Sequence, residues 1–160
     1  MHKVKVGRAR GFTLLEAVIV VVVIAIVTTL GGPSLFKFVE EHRLSSAANE
    51  LASTISSARS SAISLKTHVA IEPVNNDWSQ GWQVTLPSEQ KVLATFPVHS
   101  TLSMTSSSTN DLVFNAGGTK NKLTKIQFKI CSSESVGKEV VVSGVGATRI
   151  KPITNNCKQA

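Results

Sequence analysis

Residues Gly7–Phe36 read GRARGFTLLEAVIVVVVIAIVTTLGGPSLF. The basic residues Lys3, Lys5, Arg8 and Arg10 stand before Gly11, and none of the 20 positions from Ala17 to Phe36 is charged. A secretory signal shares the basic start, but its apolar core is about 7–15 residues long and ends at a small-residue cleavage site. This run instead matches the roughly 20 residues that a helix needs to cross hydrocarbon, and no A-x-A pattern follows it. The expectation is a helix that is kept, membrane-spanning over residues 12–36.

The apolar pattern then changes character. Leu44, Ala48, Leu51, Ile55, Ala58, Ala62 and Leu65 recur at steps of four and three, which draws one stripe on an amphipathic helix. The reading is one long helix from about Phe12 to Leu65, apolar all round in its first half and one-sided over residues 37–66. At the helical rise it would be roughly 80 Å long. Gly31-Gly32-Pro33 interrupts the pattern, and a proline deletes one helical N–H and crowds the preceding turn, so a kink or a melted turn is expected there.

Glu16 is the odd residue of the opening stretch. A carboxylate at the centre of a membrane segment costs on the order of 2.5–3.5 kcal/mol, and less near an end. It is either an acid at the membrane–water interface or one half of a charge pair met in an assembled state. In an apolar setting such a pair sets register more than it adds stability.

Gly11-Phe12-Thr13-Leu14-Leu15-Glu16 resembles the processing site of type IV prepilins, G-F-T-L-x-E. The resemblance implies a leader over residues 1–11, cleaved after Gly11 by a prepilin peptidase, and an N-methylated Phe12 as the new terminus. It implies that Glu16 pairs with a neighbouring subunit's terminal amine, and that Pro33 is the helix-breaking proline. The implied fold is α+β: a long N-terminal α-helix packed on a small antiparallel β-sheet domain over residues 67–160. The implied location is the inner membrane before assembly, by a single pass, and the extracellular pilus afterwards.

The net charge of +7 comes partly from the leader. Beyond Gly11, 13 basic residues face 10 acids. Phe12–Asn115 carries five basic residues against eight acids, whereas Ala116–Ala160 carries eight against two. A basic end on a mildly acidic body is the footprint of a polyanion-binding protein. A solubilising face, or contact with an acidic neighbouring subunit, produces the same asymmetry. Cys131 and Cys157 are the two cysteines. In a domain exported past a membrane they suggest one disulfide. A metal site is the weaker alternative, because no C-x-x-C and no nearby histidine accompany them.

After Leu65 the period becomes two, with many β-branched residues. Strands are expected at Thr67–Pro73, Gly81–Leu86, Lys91–Val98, Thr124–Ser132, Lys138–Gly144 and Ala147–Pro152, with Leu102–Ser106 and Asp111–Asn115 as a further pair. Asn75-Asn76-Asp77 is turn chemistry. Ile126, Phe128 and Ile130 point one way, and Lys125, Gln127 and Lys129 the other. The stripe on the helix has an evident use, packing on an antiparallel sheet. Trp78 and Trp82, beside a turn, read as core packing rather than a ligand platform.

Within the pilin-like proteins, Asp77-Trp78-x-x-Gly81-Trp82, the segment LVFNAGGT and the late basic strand resemble the FimT/GspH group. These are minor pilins of type IV pili and minor pseudopilins of type II secretion systems. That group often ends in G-R-x-R; here Gly146-Ala147-Thr148-Arg149-Ile150-Lys151 keeps a period-two basic pair, with the glycine displaced and one arginine missing. The resemblance implies a non-enzymatic subunit that joins other pilins, near the pilus tip, and supports assembly. It also implies sequence-nonspecific DNA binding during natural transformation. The residues expected to meet phosphates are Lys120, Lys122, Lys125, Lys129, Arg149, Lys151 and Lys158. The alternative is a minor pseudopilin of a type II secretion system.

No catalytic constellation accompanies this. His2, His42, His68 and His99 are scattered, and no H-E-x-x-H, G-x-S-x-G or phosphate-loop pattern is present. No cofactor, metal or enzymatic activity is expected.

Overall fold

The computed structural model describes residues 11–108, 111–122, 124–132, 136–153 and 157, with the side chains of 29–34 outside that set. The chain divides into two compact units, Met1–Phe38 and Val39–Ala160. One helix, α1 (Leu14–Leu65), contributes to both.

In the first unit α1 starts two residues later than expected, because Thr13 caps it. The Thr13 hydroxyl accepts from the Glu16 backbone N–H at 3.3 Å, satisfying one of the donors that a helix start leaves unpaired. The helix runs without a break through Gly31-Gly32-Pro33, so the expected melted turn is absent. Losing one N–H there removes a single bond, and the helix bonds on either side persist. Thr28 donates back to the Ile24 carbonyl at 2.8 Å, so its own hydroxyl is not left bare.

In the second unit the amphipathic stripe behaves as its spacing dictates. Leu44, Ala48, Leu51, Ile55, Ala58 and Ala62 are buried in the core. Leu65 departs from the expectation and is exposed, because α1 ends there. Lys66 takes a positive φ of 51°, and Thr67 N–H donates to the Ala62 carbonyl at 3.2 Å, a C-terminal cap of the Schellman kind.

Eight strands follow: β1 (Val69–Pro73), β2 (Gly81–Leu86), β3 (Lys91–Pro97), β4 (Leu102–Ser106), β5 (Leu112–Phe114), β6 (Ile126–Ser132), β7 (Gly137–Val142) and β8 (Thr148–Ile153). They form two four-stranded sheets rather than one, in the orders β3-β2-β1-β5 and β4-β6-β7-β8. Neighbouring strands in both orders pair antiparallel. The expected pairing of Leu102–Ser106 with Asp111–Asn115 is therefore corrected. β4 pairs with β6, where Leu102 and Met104 join the core, and β5 pairs with β1.

Both sheets turn one face to the core, and α1 adds its stripe to the same cluster. Trp82 is fully buried and stacks on Phe96 with ring centroids 5.7 Å apart. Trp78 meets Phe128 edge-on at 4.9 Å, joining the turn before β2 to the second sheet. Asp77 caps that turn, taking both the backbone N–H and the hydroxyl of Ser79. Those bonds, the Ser79 hydroxyl first, hold its carboxyl below the ordinary range. Gly81 then adopts φ 125°, where a Cβ would run into the Phe96 carbonyl.

Cys131 and Cys157 form a disulfide with Cα atoms 5.4 Å apart. It fastens the chain beyond β8 back to β6. A loop of this length gains roughly 3.5 kcal/mol in the chain-entropy account.

Candidate functional site: a basic sheet face and an uncovered apolar helix

The candidate polyanion face is built by strand parity. In β6, Ile126, Phe128 and Ile130 enter the core, so Gln127 and Lys129 face outward. The register then sets Lys129 beside Glu139 and Glu139 beside Lys151, while Gln127 lies beside Val141 and Val141 beside Arg149. Lys129 and Lys151 are two strands apart, about 10 Å, and Arg149 and Lys151 are about 7 Å apart along β8. Lys125 joins Arg149 and Lys151 around a groove of about 470 Å³ that also includes Ser143 and Gly144 of the β7–β8 hairpin. All four cations are exposed.

The other three expected residues do not join them. Lys120 is corrected: it is 4% exposed and its ammonium donates to the carbonyls of Thr124 and Ser143. The cause is parity, since Lys120 bridges Phe114, whose side chain points into the core. Burial pushes the ammonium below its ordinary range. Lys122 is exposed but lines a different groove, with Asp111. Lys158 lies outside the described residues.

Sequence reasoning missed Glu139. It sits between two of the four cations and accepts from the Gln127 amide at 2.7 Å. The alternation of β7 was the available signal: Val140 and Val142 are fully buried, so Glu139 must share the outer face. The same parity turns Lys138 inward, where it donates to the Ser45 hydroxyl on α1 at 2.8 Å.

The N-terminal unit offers a second candidate. The Gly11–Phe12 bond lies just ahead of the helix, and both residues are exposed. From Leu14 to Val27 the large apolar side chains are 45–85% exposed on every face of α1. Glu16 is exposed in the first turn, where a negative charge suits the helix dipole. Thr13-x-x-Glu16 has the spacing of a capping box, a role for Glu16 that the sequence reading did not consider. Among the described residues no helix is long and apolar enough to cross a membrane. The uncharged run continues through residues 29–34, whose side chains lie outside the described set. Among the described residues no group of three or more His, Cys, Asp or Glu is arranged to hold a metal.

The family of the type II transport protein GspH matches residues 47–146. The chain belongs to the GspH family. The prokaryotic N-terminal methylation motif matches residues 7–31, over the segment that precedes and opens α1. No curated protein matches this GspH-family chain. Among solved structures, the type IV minor pilin FimU of Pseudomonas aeruginosa is 27% identical with a TM-score of 0.59, covering 72% of this chain and 92% of FimU. A second crystal form of FimU gives 28% identity and a TM-score of 0.56, covering 68% and 93%. The minor pseudopilin EpsH of the Vibrio cholerae type 2 secretion system has a TM-score of 0.55, covering 68% of this chain and 96% of EpsH. At 10% identity EpsH shares the fold. The chain is thus a minor-pilin-like or pseudopilin-like protein with a pilin fold, in a family of structural proteins rather than enzymes.

Proposed function

We propose that this protein is a minor type IV pilin, inserted near the pilus tip, whose second sheet holds DNA during natural transformation. A prepilin peptidase cuts after Gly11, and Phe12 becomes the methylated terminus. The helix over 12–36 then waits in the inner membrane, and other pilins replace the lipid around it during assembly. Glu16 meets a neighbour's terminal amine, and the globular unit faces outward from the filament. Supporting this is a helix start that is apolar all round and uncovered within its own chain, on a chain that carries the methylation motif. A helix that is apolar on every side needs a nonaqueous surrounding.

The observation that carries the DNA reading is the outer face of β6–β7–β8, where four exposed cations face one acid. Lysine and arginine contacts to phosphate carry no sequence information, so binding is sequence-tolerant and salt-dependent. Two to four phosphate contacts give a log–log salt slope of about −2 to −4 on duplex DNA. A titration of the full chain in non-ionic detergent with duplex DNA at two salt concentrations tests this. Arg149→Ala with Lys151→Ala should weaken binding about tenfold at low salt. Glu139→Gln should tighten it several-fold. Indifference to both changes would remove the DNA reading. Glu16→Ala should leave processing intact and impair incorporation; normal piliation in that strain would count against the assembly reading.

The description of the matching family, a type II transport protein, favours a second reading as a minor pseudopilin of a type II secretion system. Loss of protein secretion with intact pili in a deletion strain would select it.

A further inference from the structure

The first sheet has its own outer face, and its chemistry is opposite to that of the second. Antiparallel register lines up Val92, Thr85, Ala70 and Val113 as one row across β3-β2-β1-β5. Their neighbours Val69, Ile71, Leu112 and Leu86 point into the core, so this row faces outward. Yet Ala70 is 2% exposed and Thr85 is 7% exposed. They are the floor of a trough of about 730 Å³, walled on one side by the β2–β3 turn at Pro87 and Ser88. Glu72 and Asp111 stand on the opposite wall.

Two features of the trough are open to a ligand. No described residue makes a side-chain hydrogen bond to the Thr85 hydroxyl, although that side chain is more than nine-tenths buried and lines the trough. Among the described residues no lysine or arginine pairs with the carboxyl of Glu72 or Asp111. Asp111 is held above the ordinary carboxylate range by burial first and then by the charge of Glu72. Lys122, in the adjoining groove, does not offset this. Glu72 takes one hydrogen bond, from the neutral Gln83 amide at 3.0 Å.

We propose that this trough is the receptor for a lysine or arginine side chain presented by a neighbouring protein subunit. The apolar row accepts the methylene stem, as long cationic side chains bury their stems against apolar surface. The carboxylates of Glu72 and Asp111 take the charged head, and the Thr85 hydroxyl accepts one of its N–H groups. A metal ion fits less well, because the floor is mostly apolar and among the described residues no group of three or more His, Cys, Asp or Glu is arranged to hold one. The inference concerns a different face from the DNA reading and survives the failure of that reading.

The test is an ¹⁵N–¹H titration of the full chain in non-ionic detergent with acetyl-Gly-Arg-Gly-amide. Saturable shifts should appear at the amides of Ala70, Thr85 and Val113, with a dissociation constant of about a millimolar for so small a probe. The matching citrulline peptide, which lacks the charge, should bind at least tenfold more weakly. Glu72→Gln with Asp111→Asn should weaken the arginine probe by a similar factor. Ala70→Leu, which fills the floor and keeps both charges, should abolish the shifts while the rest of the spectrum is preserved. The proposal is overturned by equal binding of the citrulline peptide, by binding that survives Ala70→Leu, by no shifts at tens of millimolar peptide, or by calcium chloride shifting these amides when the peptide does not.

Discussion

The two halves of α1 have the same backbone and opposite fates. From Leu14 to Val27 the apolar side chains surround the axis, and they are exposed. From Leu44 to Ala62 they are fewer, confined to one stripe, and buried in the core. Apolar content alone therefore does not bury a helix within its own chain. A stripe can be matched by sheets that leave the rest of the helix wet, whereas an all-round apolar surface needs a partner on every side. The first half is the part that no described residue of its own chain covers.

The sharpest way to break this contrast is to substitute the same kind of residue in each half. Leu51→Ala removes a fully buried side chain and should cost about 4 kcal/mol of unfolding free energy, read by denaturation followed by tryptophan fluorescence. Removing the disulfide with Cys131→Ala and Cys157→Ala should cost roughly 3.5 kcal/mol by the same assay, since β8 lies inside the loop that the bond closes. Thr13→Ala should cost the helix start about 1 kcal/mol, visible as about fivefold faster amide exchange in the first turn and no change in the second unit.

A smaller effect belongs to Asp77. Its folded pKa lies below the ordinary 3.8, so its contribution is present above that value and is lost as pH falls through the folded pKa. Asp77→Asn should be less stable than the parent at pH 6, and the gap should close below about pH 4. Smallest of all, Ile24→Ala should leave the unfolding midpoint of the second unit unchanged, because no core residue comes from that half of α1. A midpoint that fell as far as in Leu51→Ala would erase the contrast.

Much of the molecule was legible before folding. The helical stripe and the strand positions follow from local periodicity, and the tryptophan packing from the place of Trp78 and Trp82 beside a turn. The candidate site was legible only in part. Lys129, Arg149 and Lys151 could be placed on one face by alternation within β6 and β8. Lys120 could not, because its direction depends on the bridge to Phe114 after the turn at Gly117-Gly118. Glu139 was legible as a residue but not as the neighbour of Lys129 and Lys151, since that needs the register of three strands.

What the chain determined by itself is therefore local: where the helix changes character, which segments alternate, and the methylation-motif pattern around Gly11. Those depend on periods of 3.6 and 2 and on short motifs, which a linear string carries in full. Tertiary structure alone decided the division into two sheets, the inward turn of Lys120 and the opposed charges of the two outer faces. Each of these rests on which strand lies beside which, and strand partners are chosen by the shared core rather than by neighbours in sequence.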